Sequence, residues 1–325
     1  MMTVKQIYNL AIELGIKNDL RGRKIVKDRL ARRKNKYNKL SDNEKREFDQ
    51  ERLINPYSDT RYFGDGDKQV KRILVGIDMG TGEVMLANRL SEKKPIDLIL
   101  SHHPQGSGLA ALNEVMSLQA EVLASYGVPI NIAESLTKMR MSEVGRAVAP
   151  ANHYQAIDAA TLLDMPLMCC HTPSDNMVAT YLSNYIKSNK SKLTYVEDLL
   201  NLLKKLPEYK EAIKMKSGPR LFTGKGDNYL GRIAVTEITG GTSGNKDIYQ
   251  YMASAGIGTV VAMHMKEEHR EEASKAHLNI VIAGHMSSDS IGMNLFLDEL
   301  EKRGIEVIPC SGLIRYKRFK KKGKK

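Results

Sequence analysis

The stretch LILSHHPQG, Leu98 to Gly106, runs an apolar segment into two adjacent histidines and a proline. An unbroken run of this length, closed by a proline turn, reads as a short strand buried on both faces. Similar apolar runs recur at Ile73–Ile77, Ile96–Leu100, Pro166–Cys170, Arg232–Thr236, Thr259–Met263, Asn279–Ala283 and Glu306–Pro309. Most are separated by helical patterns, such as Gly108–Ser125, Asp175–Lys187 and Ser288–Arg303. Near-continuous apolar strands alternating with helices predict an α/β protein with mainly parallel sheets.

Around this core the chain divides by composition. Residues 1–66 form a helical, basic N-terminal extension. Thr3 is placed to cap a first amphipathic helix, and Ser41 with Glu44 forms a capping box for a helix reaching about Leu53. An N-terminal α/β half follows over 67–192, then a helical and loop-like connector over 193–230. A C-terminal α/β half occupies 231–314 and a basic tail 315–325.

The net charge of +12 sits near the two ends. Lys17–Lys39 holds 11 basic and 2 acidic residues, and Arg315–Lys325 holds 8 basic and no acidic ones, so the body is mildly acidic. Such runs are ordinarily solvated; contact with nucleic acid or another polyanion through them is the weakest of the partner expectations. No apolar run approaches the ~18 residues of a membrane span, the N-terminus lacks the form of a signal peptide, and three cysteines build no even framework. The expectation is a cytoplasmic protein with no membrane association. Apolar flanks favour burial of Cys169 and Cys170 over a nucleophilic role.

Ligands of α/β sheets bind beyond the carboxyl ends of strands. Leu100 is followed by Ser101-His102-His103-Pro104, Cys170 by His171-Thr172-Pro173-Ser174-Asp175, and Ala283 by Gly284-His285-Met286-Ser287-Ser288-Asp289. Three strand ends therefore deliver four of the chain's eight histidines and two carboxylates. That donor set suits zinc, iron or manganese. Taken singly, each residue also has a structural reading: a histidine hydrogen-bonded at a strand end, or Asp175 and Asp289 as helix-start carboxylates.

The motifs SHHP, HTPSDN and AGHMSSDS, in that order, resemble the Nif-three-like family, the type-two GTP cyclohydrolase I homologues. The likeness runs from about Lys71 to Gly312. It implies a dinuclear centre of two divalent metal ions held by His102, His103, Asp175, His285 and Asp289, where the family pattern has glutamate at the last position. It implies two interleaved α/β halves that share the centre at their carboxyl strand ends, and a ring-like homo-oligomer, commonly a hexamer. It also implies a metal-dependent hydrolase acting on a nucleotide-like or phosphorylated small-molecule substrate. A non-enzymatic metal-binding or metal-handling scaffold is the alternative.

Three weaker signals remain. Thr239-Gly-Gly-Thr-Ser-Gly-Asn245 reads as a tight turn or an anion cradle. Glu134, after the strand-like GVPINI, reads as a helix cap or a supporting carboxylate. His264 and His269 are expected on a solvated helical face.

Overall fold

The computed structural model describes residues 1–319, so residues 320–325 of the basic tail lie outside it. Among the described residues the strands are β1 (Met2–Thr3), β2 (Arg61–Phe63), β3 (Gln69–Val70), β4 (Arg72–Gly76), β5 (Leu98–Ser101), β6 (Leu167–Cys169), β7 (Arg220–Thr223), β8 (Arg232–Glu237), β9 (Ile257–Ala262), β10 (Asn279–Ile282) and β11 (Glu306–Pro309). Two sheets dominate. The first has the order β11-β4-β5-β6-β2 and the second β7-β10-β9-β8. Each is parallel except for one antiparallel edge strand, β2 in the first and β7 in the second. The protein is thus α/β with mainly parallel sheets, as its apolar runs predict. All four residues of β5, and likewise of β10, are buried, which is what strands covered on both faces require.

The halves are interleaved by the last strand. After the second sheet is complete, the chain returns and β11 pairs with β4 of the first. The N-terminal helix Val4–Lys17 also belongs to this body: Val4, Ile7, Tyr8, Ala11 and Ile12 share one core with β4, β5 and Phe296. Thr3 and Ser41 form the expected capping boxes. The helix begun at Ser41 is shorter than its pattern, Asp42–Glu47, with a separate 3-10 turn at Gln50–Leu53.

Three other segments differ from their sequence patterns. The pattern Gly108–Ser125 divides into Gly106–Ala110, Leu112–Val115 and Leu118–Ser125, the first break falling where Ser58 donates its hydroxyl to the Ala111 carbonyl. The loop-like stretch before Gly231 contains β7, paired to β10. GVPINI opens the long helix Ile130–Val148 and is not a strand.

Two long helices, Thr172–Ser188 and His285–Lys302, pack together at the junction of the halves. Their contact is very close: any side chain at Gly292 would run into the Ser174 carbonyl and hydroxyl. From the other side, a Cβ at Gly15 of the N-terminal helix would stand 2.8 Å from Pro173 Cβ. The turn carrying Pro173, Ser174 and Asp175 is therefore gripped between two glycine faces. No helix among the described residues is long and apolar enough to cross a membrane.

Candidate metal centre

The ladder between β4 and β5 continues past its last paired residues: His102 N–H donates to Gly76 O and His103 N–H to Ile77 O, both at 3.0 Å. Both imidazoles are thereby held at the carboxyl end of the first sheet, on the bend that follows β5. Asp175 enters from the first turn of the helix Thr172–Ser188. His285 is the first residue of its helix because Gly284, at φ +107°, turns the chain directly out of β10, and Asp289 follows one turn later.

All five residues converge. His102 Nε2 lies 3.4 Å from Asp175 Oδ1 and 3.4 Å from Asp289 Oδ1. His103 Nε2 and His285 Nε2 lie 3.7 and 3.6 Å from Asp289 Oδ2. Two further histidines join them. His171 Nε2 stands 3.7 Å from Asp175 Oδ2, and the His264 ring is 4.7 Å from that of His285. His171 was visible in the sequence as a strand-end residue, although the family pattern does not use it. The charged MHMKEEHREE context hid His264, but it lies in the loop just beyond β9, before the helix Glu267–Lys275, and obeys the same strand-end rule. His269 is likewise not solvated; it is buried with Nδ1 3.3 Å from the Tyr249 hydroxyl. Glu134 sits on an exposed helical face, 2.9 Å from Lys138, and does not touch the cluster. Cys169 and Cys170 are buried, and burial raises both thiols above their ordinary range.

The hydrogen bonds fix which nitrogen faces the cluster. His102 Nδ1 meets the Cys170 carbonyl at 3.1 Å, and a carbonyl can only accept. His103 Nδ1 meets Asp78 Oδ1 at 2.6 Å and His171 Nδ1 meets Asp59 Oδ2 at 2.8 Å. In each ring Nδ1 therefore carries the proton and Nε2 presents a lone pair to the centre, the second-layer pattern typical of metal-ligating histidine. Asp59 also accepts from the Thr172 hydroxyl at 2.6 Å.

The facing atoms have nothing to bond among themselves. His102 Nε2, Asp175 Oδ1 and both Asp289 oxygens are buried without a hydrogen-bond partner. Buried polar atoms are ordinarily paired, and here lone pairs of imidazole and carboxylate face one another with no hydrogen between them. His102 with Asp175 and Asp289, His103 with His285 and Asp289, and His102 with His103 and His171 form three triads, each with its ligand atoms within 4.8 Å. Asp289 and both paired histidines are each shared between two of these triads. The residues fit a metal centre.

Electrostatics agree. Burial pushes the Asp175 carboxyl well above its usual range. Burial also opposes ionisation of Asp289, but the surrounding imidazoles, His102 foremost, hold it down to about 2. Burial lowers His285 to about 4, leaving it neutral and able to ligate at physiological pH.

A cleft open to solvent extends from this cluster. Residues of the helices Leu118–Ser125 and Ile130–Val148 and of the glycine-rich loop 239–245 line it.

No family model and no curated protein matches the sequence. Among solved structures, the chain is similar to a NIF3 superfamily protein from Sphaerobacter thermophilus. The two share 28% identity and a TM-score of 0.69, over 79% of this chain and 92% of that one. Reduced HcgD from Methanocaldococcus jannaschii matches at 16% identity and TM-score 0.49, over 77% of this chain and 87% of that one. A Bacillus cereus protein related to NIF3 matches at 11% and 0.40, over 80% and 91%.

Proposed function

The chain belongs to the NIF3 superfamily, and from that premise we propose that it is a dinuclear metal-binding protein and a metal-dependent hydrolase of a nucleotide-like or phosphorylated small molecule. One observation carries the reading: four buried side-chain atoms of His102, Asp175 and Asp289 face one another at the strand ends without hydrogen-bond partners. His102, His103, Asp175, His285 and Asp289 would hold two divalent ions, zinc, iron or manganese, with His171 as a further donor. Asp289 replaces a longer glutamate, yet its two oxygens reach His102, His103 and His285.

When bound, such ions lower the pKa of attached water and polarise a substrate oxygen. The chain's own residues then have separate tasks. Asp78, Asp59 and the Cys170 carbonyl hold the imidazoles in the ligating tautomer. His264, half-buried beside His285, is kept neutral by burial and stands at the cavity mouth of the cluster, where it can accept a proton. Neither buried cysteine is needed.

The test is metal content per chain by plasma mass spectrometry on untagged protein. Wild type is expected to hold about two ions, and His285→Ala fewer. Chelation should then abolish turnover in a screen of phosphoesters and nucleotides that begins with GTP. Metal retained with no turnover across the screen would assign the chain to metal handling. No metal after loading with zinc, manganese and iron(II) would overturn the reading. Cysteine usage extends the proposal to a cytoplasmic setting, and family resemblance to a ring-like homo-oligomer, commonly a hexamer, which light scattering would weigh.

A further inference from the structure

The cavity beside the cluster has a second polar niche, at the end of β8, that the metal centre does not use. Among the described residues, Glu237 is the one ionisable residue outside the cluster that lines the cavity, and no lysine or arginine lines it. Arg140, behind the loop, already donates Nε to the Ser243 carbonyl and Nη1 to Glu143. Next to Glu237, the Thr236 hydroxyl is buried, with the residue 7% exposed, and has no hydrogen-bond partner. Val122, Leu123, Leu136 and Ile248 supply an apolar lining to the same cavity.

The glycine-rich loop is fixed from behind. Gln119 Nε2 donates to both the Gly240 and Thr242 carbonyls at 2.7 Å. A carboxylate beside this loop, with no lysine or arginine among the described residues lining the cavity, disfavours a phosphate at the loop and argues against an anion cradle there. The same carboxylate, in a cavity that also has an apolar lining, calls for hydrogen-bond donors on an apolar frame.

We propose that this niche is a subsite for an N–H-donating nitrogen group carried on a planar apolar frame, such as an amidine or the N–H edge of a ring. The group is held by the Glu237 carboxylate and the Thr236 hydroxyl, and stacks against the Leu123–Leu136 wall. The inference rests on the hydrolase reading for what happens at the cluster, since it assigns the part of the substrate that is not transformed. Burial supports it by lifting the Glu237 carboxyl to about 7, against a hydrogen bond from Tyr249, the state of a carboxylate with no fixed cation beside it.

Benzamidine is the probe, titrated calorimetrically into the full chain, both metal-loaded and after chelation. Binding is expected in both states, because the niche's own residues hold the amidine. Glu237→Gln should weaken it at least about tenfold with metal content unchanged, and Leu136→Trp, which fills the apolar wall, should abolish it. Should the glutamine variant fail to fold, the tryptophan variant decides. Benzamidine binding that neither substitution affects, no benzamidine binding at all, or tripolyphosphate binding to the chelated protein that Leu136→Trp removes would each overturn the proposal. Metal content is measured separately, so failure of the metal reading would leave the benzamidine result standing.

Discussion

Asp59 stands behind the cluster and sets the orientation of one imidazole, that of His171. It is fully buried, and its Oδ2 accepts from His171 Nδ1 and the Thr172 hydroxyl. Replacing such an outer carboxylate typically weakens a metal site by about 10–100-fold. Asp59→Asn should therefore weaken zinc binding by that factor in a chelator competition, with little change in circular dichroism. Glu237 gives a prediction of opposite sign. Its folded-state pKa of about 7 lies above the ordinary 4.5, so the folded chain binds this proton more tightly than the unfolded one. Stability from this group is then present at low pH and lost as pH rises from about 4.5 through 7. Glu237→Gln should melt with wild type at pH 5 and be more stable at pH 8, on the order of 2 kcal/mol. A destabilising residue kept in a cavity wall fits a binding role better than a structural one.

At the scale of elements, the site depends on how closely two helices approach. Gly292 on His285–Lys302 leaves room for the Ser174 carbonyl, so the Asp175 turn and the His285 helix sit against one another. Gly292→Ala inserts a methyl into that contact and should cost about 1–3 kcal/mol. It should also lower metal content, because Asp175 and Asp289 ride on the two elements being pushed apart. Thermal melting with plasma mass spectrometry on the same sample checks both. Elements are also where sequence reading succeeded and failed. The seven apolar runs are all strands; in interior strands such as β5 and β10, burial on both faces leaves a signature that needs no partner to be recognised, while β11, an edge strand with no buried residue, is legible only as an apolar run. β7, an edge strand of sequence RLFT inside a loop-like stretch, offers no such run. His171 and His264 follow strands as visibly as His102 does. What concealed their convergence is that no local pattern says which strand ends meet; sheet order decides that. The Asp59–His171 contact, between residues 112 positions apart, was illegible for the same reason.

For the whole molecule, the basic end is partly structural. Arg318 donates Nη1 and Nη2 to the two Glu208 oxygens at 2.6 and 2.9 Å, and Glu208 is fully buried. Arg315 pairs with Asp298 and Glu301, and Lys317 with Glu301. These residues tie the chain's end to the helices Pro207–Lys214 and His285–Lys302. Removing one partner of a buried pair strands the other, at about 3–5 kcal/mol. Arg318→Ala should accordingly lower the urea midpoint markedly, whereas Arg318 and Glu208 replaced together should recover much of the loss. Deleting residues 315–325 to test polyanion binding would thus unsettle the fold as well, and salt dependence of the intact chain is the cleaner measurement.

The return of β11 to the first sheet has a consequence for the order of events during synthesis. Arg72 and Glu306, whose side chains meet where the two strands begin, are separated by 234 positions. Until β11 leaves the ribosome, β4 is an open edge bearing Ile73, Leu74 and Val75, all destined for burial. A nascent N-terminal half can neither close its sheet nor gather His285 and Asp289 around its own histidines. On the proposed reading, the full donor set is assembled only after the C-terminal half has emerged, and a product truncated before it would present a sticky strand edge beside an incomplete set of ligands.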